Sequence, residues 1–149
     1  MTDDTAERPP ILVGVDASGA SRDALRWAGQ YAPLVGNRLE VVHAWSVRQE
    51  YVWVPEVPLP PTPHDVAGKG LTEMVHEVVG ADSRLAVIVD VVEGNARHVL
   101  VERSRRAELL AVGSRGHGGF DGLTLGSVSG HCAGHAHCAV TIARPSIGA

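Results

Sequence analysis

The sequence predicts an α/β domain built on a mainly parallel sheet, and three observations carry that reading. Short runs rich in Val, Ile and Leu alternate with longer stretches whose apolar residues recur at helical spacing. The aliphatic runs show little polar alternation, the pattern of strands covered on both faces. A loop holding six glycines, Gly113 to Gly126, follows one such run and leads into a helix start. In parallel sheets that is the end where ligands sit, beyond the carboxyl ends of the strands.

Taken in order, Ile11 to Val15 reads as a first buried strand, and Asp16-Ala17-Ser18-Gly19 as the turn after it. From about Ala20 to near Pro33 a helix is expected, because Leu25, Ala28, Ala32 and Val35 keep helical spacing. Ser18 or Ser21 would cap it, and Gly36-Asn37 would stop it. Leu39 to Trp45 is the second strand. Ser46 to Pro63 contains five prolines with Tyr51 and Trp53 and shows no period, so it reads either as a packed surface loop or as a flap over a ligand. Asp65 is expected to cap a second helix, with Leu71, Met74, Val75, Val78 and Val79 on one face. Gly68 and Gly70 weaken its first turns. Leu85 to Val92 predicts a third buried strand, and Glu93-Gly94-Asn95 a turn. Ala96 to Arg106 predicts a third helix, with Val99 and Leu100 inward and Arg97, Arg103, Arg105 and Arg106 outward. Leu109 to Gly113 is the fourth strand, Gly126 or Ser127 to about Ala136 the fourth helix, and Ala139 to Ala143 the last strand. Met1 to Pro10 and residues 146–149 are expected to be tails around one domain, residues 11–145.

A chain of 149 residues is long enough for one domain with a real core. Its balance, 44% hydrophobic and 20% charged, is that of a globular protein. A net charge of −4 argues against nucleic-acid binding. No apolar run is long enough to cross a membrane, and the acidic, polar start does not read as a signal peptide. Cys132 and Cys138 imply neither a disulfide framework nor an oxidising compartment. The cytoplasm is the simplest location.

The glycine loop is the chemical centre of the sequence. Glycines let a backbone approach a ligand closely, and Gly126-Ser127 offers free N–H groups, a hydroxyl and the positive end of a helix, which together suit a phosphate. The loop is not a Walker motif, because no lysine follows its glycines. It is not Gly-x-Gly-x-x-Gly opening a helix either. If the first and fourth strands are neighbours, Asp16 and the glycine loop face one crevice.

What stands in the sequence is Gly113-x2-Gly116-x9-Gly126-Ser127. This spacing resembles the nucleotide signature of the ATP-binding branch of the universal stress protein family. Ile11 to Ser18 resembles that family's first strand and turn, Ala24 to Ala28 its first helix, and Leu39 to Trp45 its second strand. Val92-Glu93-Gly94-Asn95-Ala96, Ala107 to Gly116, Gly126 to Ser129 and His135 to Val140 are similar to its later motifs. The resemblance covers nearly the whole chain and implies an open, Rossmann-like sheet of five parallel strands in the order 3-2-1-4-5, as in the adenine nucleotide alpha hydrolases. It implies ATP as ligand. Gly113, Gly116, Gly126 and Ser127 would cradle the phosphates, with Val128 and Ser129 adding contacts. Asp16 would lie near ribose and phosphates, with nucleotide-bound Mg2+ as an intermediary. Gly14 and Val15 would line the adenine pocket, and Ala44 would offer its backbone to the adenine edge. It also implies a homodimer, often through the last strand, here Ala139 to Ala143; an unpaired edge strand is a pairing template in any case.

Each assignment has a plainer alternative. Asp16 and Ser18 would serve as a turn and cap, the glycines as a flexible loop, and Gly14 as relief of crowding. Glu108, His137 and Ala139 depart from residues common in the family, and Gly130 and Gly134 each cost the fourth helix roughly 1 kcal/mol relative to Ala. His131, Cys132, His135, His137 and Cys138 crowd together, and His131 and His135 lie one helical turn apart. Without a matching pair elsewhere, buried cysteines and surface histidines are the better account, and no metal site is expected. The function this supports is an ATP-binding stress-response module. Asp16 is its only evident candidate base, so hydrolysis should be slow or absent. The alternative is a slow ATPase or nucleotide-processing enzyme on the same scaffold.

Overall fold

The computed structural model describes residues 8–16, 19–45, 63–80, 85–115 and 125–144. Among these residues nine elements alternate as expected: β1 (Ile11–Gly14), α1 (Gly19–Val35), β2 (Leu39–Trp45), α2 (Pro63–Val79), β3 (Val87–Glu93), α3 (Ala96–Ser104), β4 (Leu109–Gly113), α4 (Ser127–His135) and β5 (Ala139–Ala143). All pairings are parallel, in the order β3-β2-β1-β4-β5.

Alternation along the strands divides the core in two. Ile11, Val13, Leu39, Val41 and Ala111 face α1 and α2, meeting Ala24, Leu25, Ala28, Ala32, Leu71, Met74 and Val75. Leu12, Val42, Leu110 and Val112 face the other side, meeting Leu100 of α3 and Cys132 of α4. A wholly covered leucine such as Leu25 or Leu110 contributes about 2 kcal/mol relative to exposure.

Helix ends follow local chemistry. Gly36 takes φ +75°, its N–H donating to Pro33 O while that of Asn37 donates to Ala32 O, so α1 closes in a Schellman turn. Asn95 caps α3, its Oδ1 accepting from Arg97 N–H at 3.0 Å.

Several boundaries and roles differ from expectation. Ser21 is not a cap but lies inside α1, where its Oγ accepts the Asp16 N–H at 3.0 Å; Ser18 lies outside the described residues. Asp65 does not begin α2, because Pro63, at the position where a missing N–H costs nothing, starts the helix two residues earlier. β3 is shifted to Val87–Glu93 and is not a buried strand. At the sheet edge it leaves Ile88 49% exposed. α3 ends at Ser104, since residues 105–107 tighten into bonds three residues back. Arg103 does not point outward. It reaches back to the sheet and pairs with Glu40 at 2.6 Å and Asp90 at 2.5 Å. Burial draws its pKa down, but the two carboxylates outweigh that and hold it above the ordinary arginine value. The tails 1–7 and 145–149 and most of the proline-rich connection lie outside the described residues.

Candidate functional site

The sheet order decides where chemistry can occur. β1 pairs with β2 on one side and β4 on the other, with Gly14 opposite Val42 and Val13 opposite Ala111. Carried past the strand ends, the same offsets align Asp16 with Ala44 and with Ser114. The two strand ends singled out in the sequence therefore lie side by side, at the point where the chain's crossovers reverse direction, the place where sheets of this class form a ligand crevice.

The crevice floor is held by backbone bonds. Val15 N–H donates to Val42 O at 3.0 Å, and the Val15 carbonyl accepts from His43 Nδ1 at 2.8 Å. A carbonyl only accepts, so the His43 proton sits on Nδ1. With Asp16 N–H given to Ser21 Oγ, the peptide units leading into half-buried Asp16 are tied on both sides.

The β4 end is tied equally firmly. Ser114 N–H donates to Ala143 O at 2.8 Å, continuing the ladder to β5. The Ser114 carbonyl accepts twice, from Gly126 N–H at 2.7 Å and from Ser129 Oγ at 2.9 Å. The two ends of the glycine loop are thus stapled together, and the first turn of α4 is anchored beside the end of β4. Gly126 is the N-cap and has no side chain to satisfy that turn. The first intrahelical bond is Gly130 N–H to Gly126 O, which leaves the N–H groups of Ser127, Val128 and Ser129 without an intrahelical acceptor. Ser127 is exposed, whereas Ser129 is 2% exposed with its hydroxyl turned inward.

Two glycines have packing reasons independent of any ligand. A Cβ on Gly113 would lie 2.6 Å from the Ala20 carbonyl carbon and 2.8 Å from Ser21 N, so glycine is what lets α1 start against the end of β4. A Cβ on Gly14 would lie 2.6 Å from Leu100 Cδ1, at the tip of a side chain. Ala44, half-buried on β2, sits opposite Val92. Gly116 lies outside the described residues.

Sequence reasoning missed His43 and Ser114. His43 is an ionisable residue near the carboxyl end of an otherwise mostly apolar strand, which is a usable signal. Ser114 works through its carbonyl, which no side-chain pattern reveals. The cysteines offer no reactive thiol to this crevice. Burial, with a smaller contribution from Cys138, pushes Cys132 up to about 11. Cys138 is also raised by burial. No helix among the described residues is long and apolar enough to cross a membrane.

Comparison with known proteins gives the same picture. The model of the universal stress protein family matches residues 7–144. A universal stress protein of Mycobacterium tuberculosis is 36% identical over 141 residues, 95% of this chain and 47% of that protein. The chain spans about half the length of the curated relatives it matches. Among solved structures, a universal stress protein in complex with cAMP superposes with a TM-score of 0.69 at 25% identity, covering 93% of this chain and 98% of the other. One from Archaeoglobus fulgidus in complex with dAMP superposes at 0.66 and 19% identity, covering 91% and 97%. With the strand order, the glycine spacing and a family match running from before β1 to the residue after β5, this chain belongs to the universal stress protein family.

Proposed function

We propose that the chain binds an adenine nucleotide, ATP with Mg2+, across the crevice between the ends of β1 and β4, and that it acts as a nucleotide-dependent stress-response module with little or no hydrolysis. The observation that carries this is the stapled loop. Ser114 joins both ends of a glycine-rich segment and holds the open first turn of α4 beside the Asp16 end of β1. That arrangement favours an anion at the helix start. The cAMP and dAMP complexes of two relatives support the adenine part of the reading.

In this account Gly126, Ser127 and Val128 contribute N–H groups to the phosphates, joined by the Ser127 hydroxyl. Gly113 and Gly116 keep the loop close to them, and Ser129 positions the turn from beneath, its N–H adding a contact. Gly14, Val15 and Ala44 line the adenine side, and Asp16 faces the ribose and Mg2+. Rapid turnover needs a base aimed at a water, and Asp16, whose N–H is held by Ser21 Oγ, is assigned in this account to the ribose and Mg2+. The direct test is to denature the purified protein and measure released adenine nucleotide, with calorimetry on the emptied chain in the presence of Mg2+. Gly116→Asp should abolish binding by clash and charge repulsion while the circular dichroism spectrum stays that of the parent.

A cytoplasmic homodimer completes the proposal. β5 is an edge strand, and an unpaired edge can accept a second copy. Light scattering should then give twice the chain mass; the mass of a single chain across the working concentration range would exclude this pairing.

A further inference from the structure

Just past β1, side chains take over the work of the ladder. The pairing to β2 runs on through Val15 N–H, which donates to Val42 O at 3.0 Å. The next peptide group is made of the Val15 carbonyl and Asp16 N–H, and a side chain holds each end of it. His43 Nδ1, on β2, donates to Val15 O at 2.8 Å. Ser21 Oγ, in the first turn of α1, accepts from Asp16 N–H at 3.0 Å. A peptide group is planar, so a bond at each end sets the orientation of the whole plane. That plane fixes the point from which the Asp16 carboxylate is presented to the crevice.

Packing alone explains neither side chain. His43 follows Leu39 and Val41 on the sheet face toward α1 and α2, where both are wholly buried. An aliphatic residue would fill this half-buried position without needing a partner. A polar ring there is costly unless hydrogen-bonded, and the partner it takes is the carbonyl before Asp16. That carbonyl only accepts. The neutral ring with its proton on Nδ1 and the imidazolium both supply the donor, so the bond depends on geometry rather than charge. Ser21 is 3% exposed within a helix, a setting that disfavours serine. It also touches the other wall. A Cβ on Gly113 would lie 2.8 Å from Ser21 N. The first turn of α1 is thus wedged between the two strand ends, against Gly113 and bonded to Asp16.

We propose that His43 and Ser21 are positioning residues for the ligand site: together they lock the Val15–Asp16 peptide group and through it aim Asp16 at the nucleotide. This rests on the reading of the crevice as an adenine nucleotide site. What the lock requires of residue 43 is a donor at the Nδ1 position.

The test compares three substitutions of that donor. His43→Leu removes it and suits the apolar face. His43→Asn places an amide nitrogen the same number of bonds from the backbone as Nδ1, and His43→Gln places it one bond too far. In calorimetry of the emptied full chain with ATP and Mg2+, His43→Leu and His43→Gln should each bind about tenfold more weakly, the worth of one hydrogen bond, and His43→Asn within about twofold of the parent. A double-mutant cycle separates positioning from general loosening: with Asp16→Asn in place, His43→Leu should weaken binding little further. A second readout needs no nucleotide. Exchange of the Asp16 amide proton in the empty chain should be faster in Ser21→Ala and His43→Leu, and parent-like in His43→Asn. Parent-like ATP affinity in His43→Leu, a loss that His43→Asn fails to restore, or losses that simply add in the cycle would overturn the positioning role. A parent chain that binds no ATP would overturn the reading of the site itself. The exchange data then decide the lock alone, and Asp16 exchange unchanged in every variant would overturn it.

Discussion

At the scale of single residues, the two glycines on either side of the crevice separate packing from chemistry. Gly113 abuts backbone atoms of Ala20 and Ser21, which cannot move without shifting α1. Gly14 abuts the tip of Leu100, which can rotate. Gly113→Ala should therefore lower stability by about 1–3 kcal/mol and Gly14→Ala by less, measured by chemical denaturation. An equal cost would show that the Gly113 contact is relieved elsewhere. Ser129 carries a related lesson. The family resemblance has it adding contacts to the phosphates from the helix start; its hydroxyl serves the loop from below, because the helical turn that exposes Ser127 buries the residue two positions on. His131 sets a pH dependence. Its pKa is held below the ordinary value by burial, then His135 on its own helix and Arg97 and His98 on α3. The unfolded chain thus binds more protons just below that value, and stability falls as pH drops through it. His131→Gln should flatten this part of the profile of thermal midpoint against pH; an unchanged slope would contradict the assignment.

At the scale of elements, the periodic signals locate every strand and helix among the described residues, and the errors fall where tertiary context decides. β3 is as aliphatic as a central strand, so nothing within it reveals that it lies at an edge. Arg103 reads as an outward arginine by helical spacing. Yet α3 lies across the sheet so that this residue reaches Glu40 on β2 and Asp90 on β3, a contact made between distant segments. That triad anchors α3 over the half of the sheet where Ile88 stays exposed. Arg103→Ala leaves two half-buried carboxylates facing one another and should cost about 1–2 kcal/mol, less than a fully buried pair because water reaches the site. Arg103→Lys should recover only part of this, since an ammonium cannot present the same fork to two carboxylates. Full recovery would mean that charge alone holds the element.

At the scale of the whole molecule, the alternating pattern predicts the class of sheet, and the strand order comes from the family resemblance. The order is what turns Asp16 and Gly113, about a hundred residues apart, into neighbours. The candidate site was legible in its residue types but not in its construction. Glycine spacing pointed to the loop, whereas the Ser114 carbonyl, the His43 bond and the approach of α1 to Gly113 depend on atoms that carry no sequence signal. The reading of the site thus rests on one claim, that the stapled loop and the Asp16 strand end form an adenine nucleotide site. The most direct measurement is the nucleotide content of the purified protein, followed by calorimetry of the emptied chain with ATP and Mg2+. The account predicts adenine nucleotide released on denaturation, or saturable binding at one site per chain that Gly116→Asp removes. A chain that releases none and gives no heat with ATP, while folded, contradicts it.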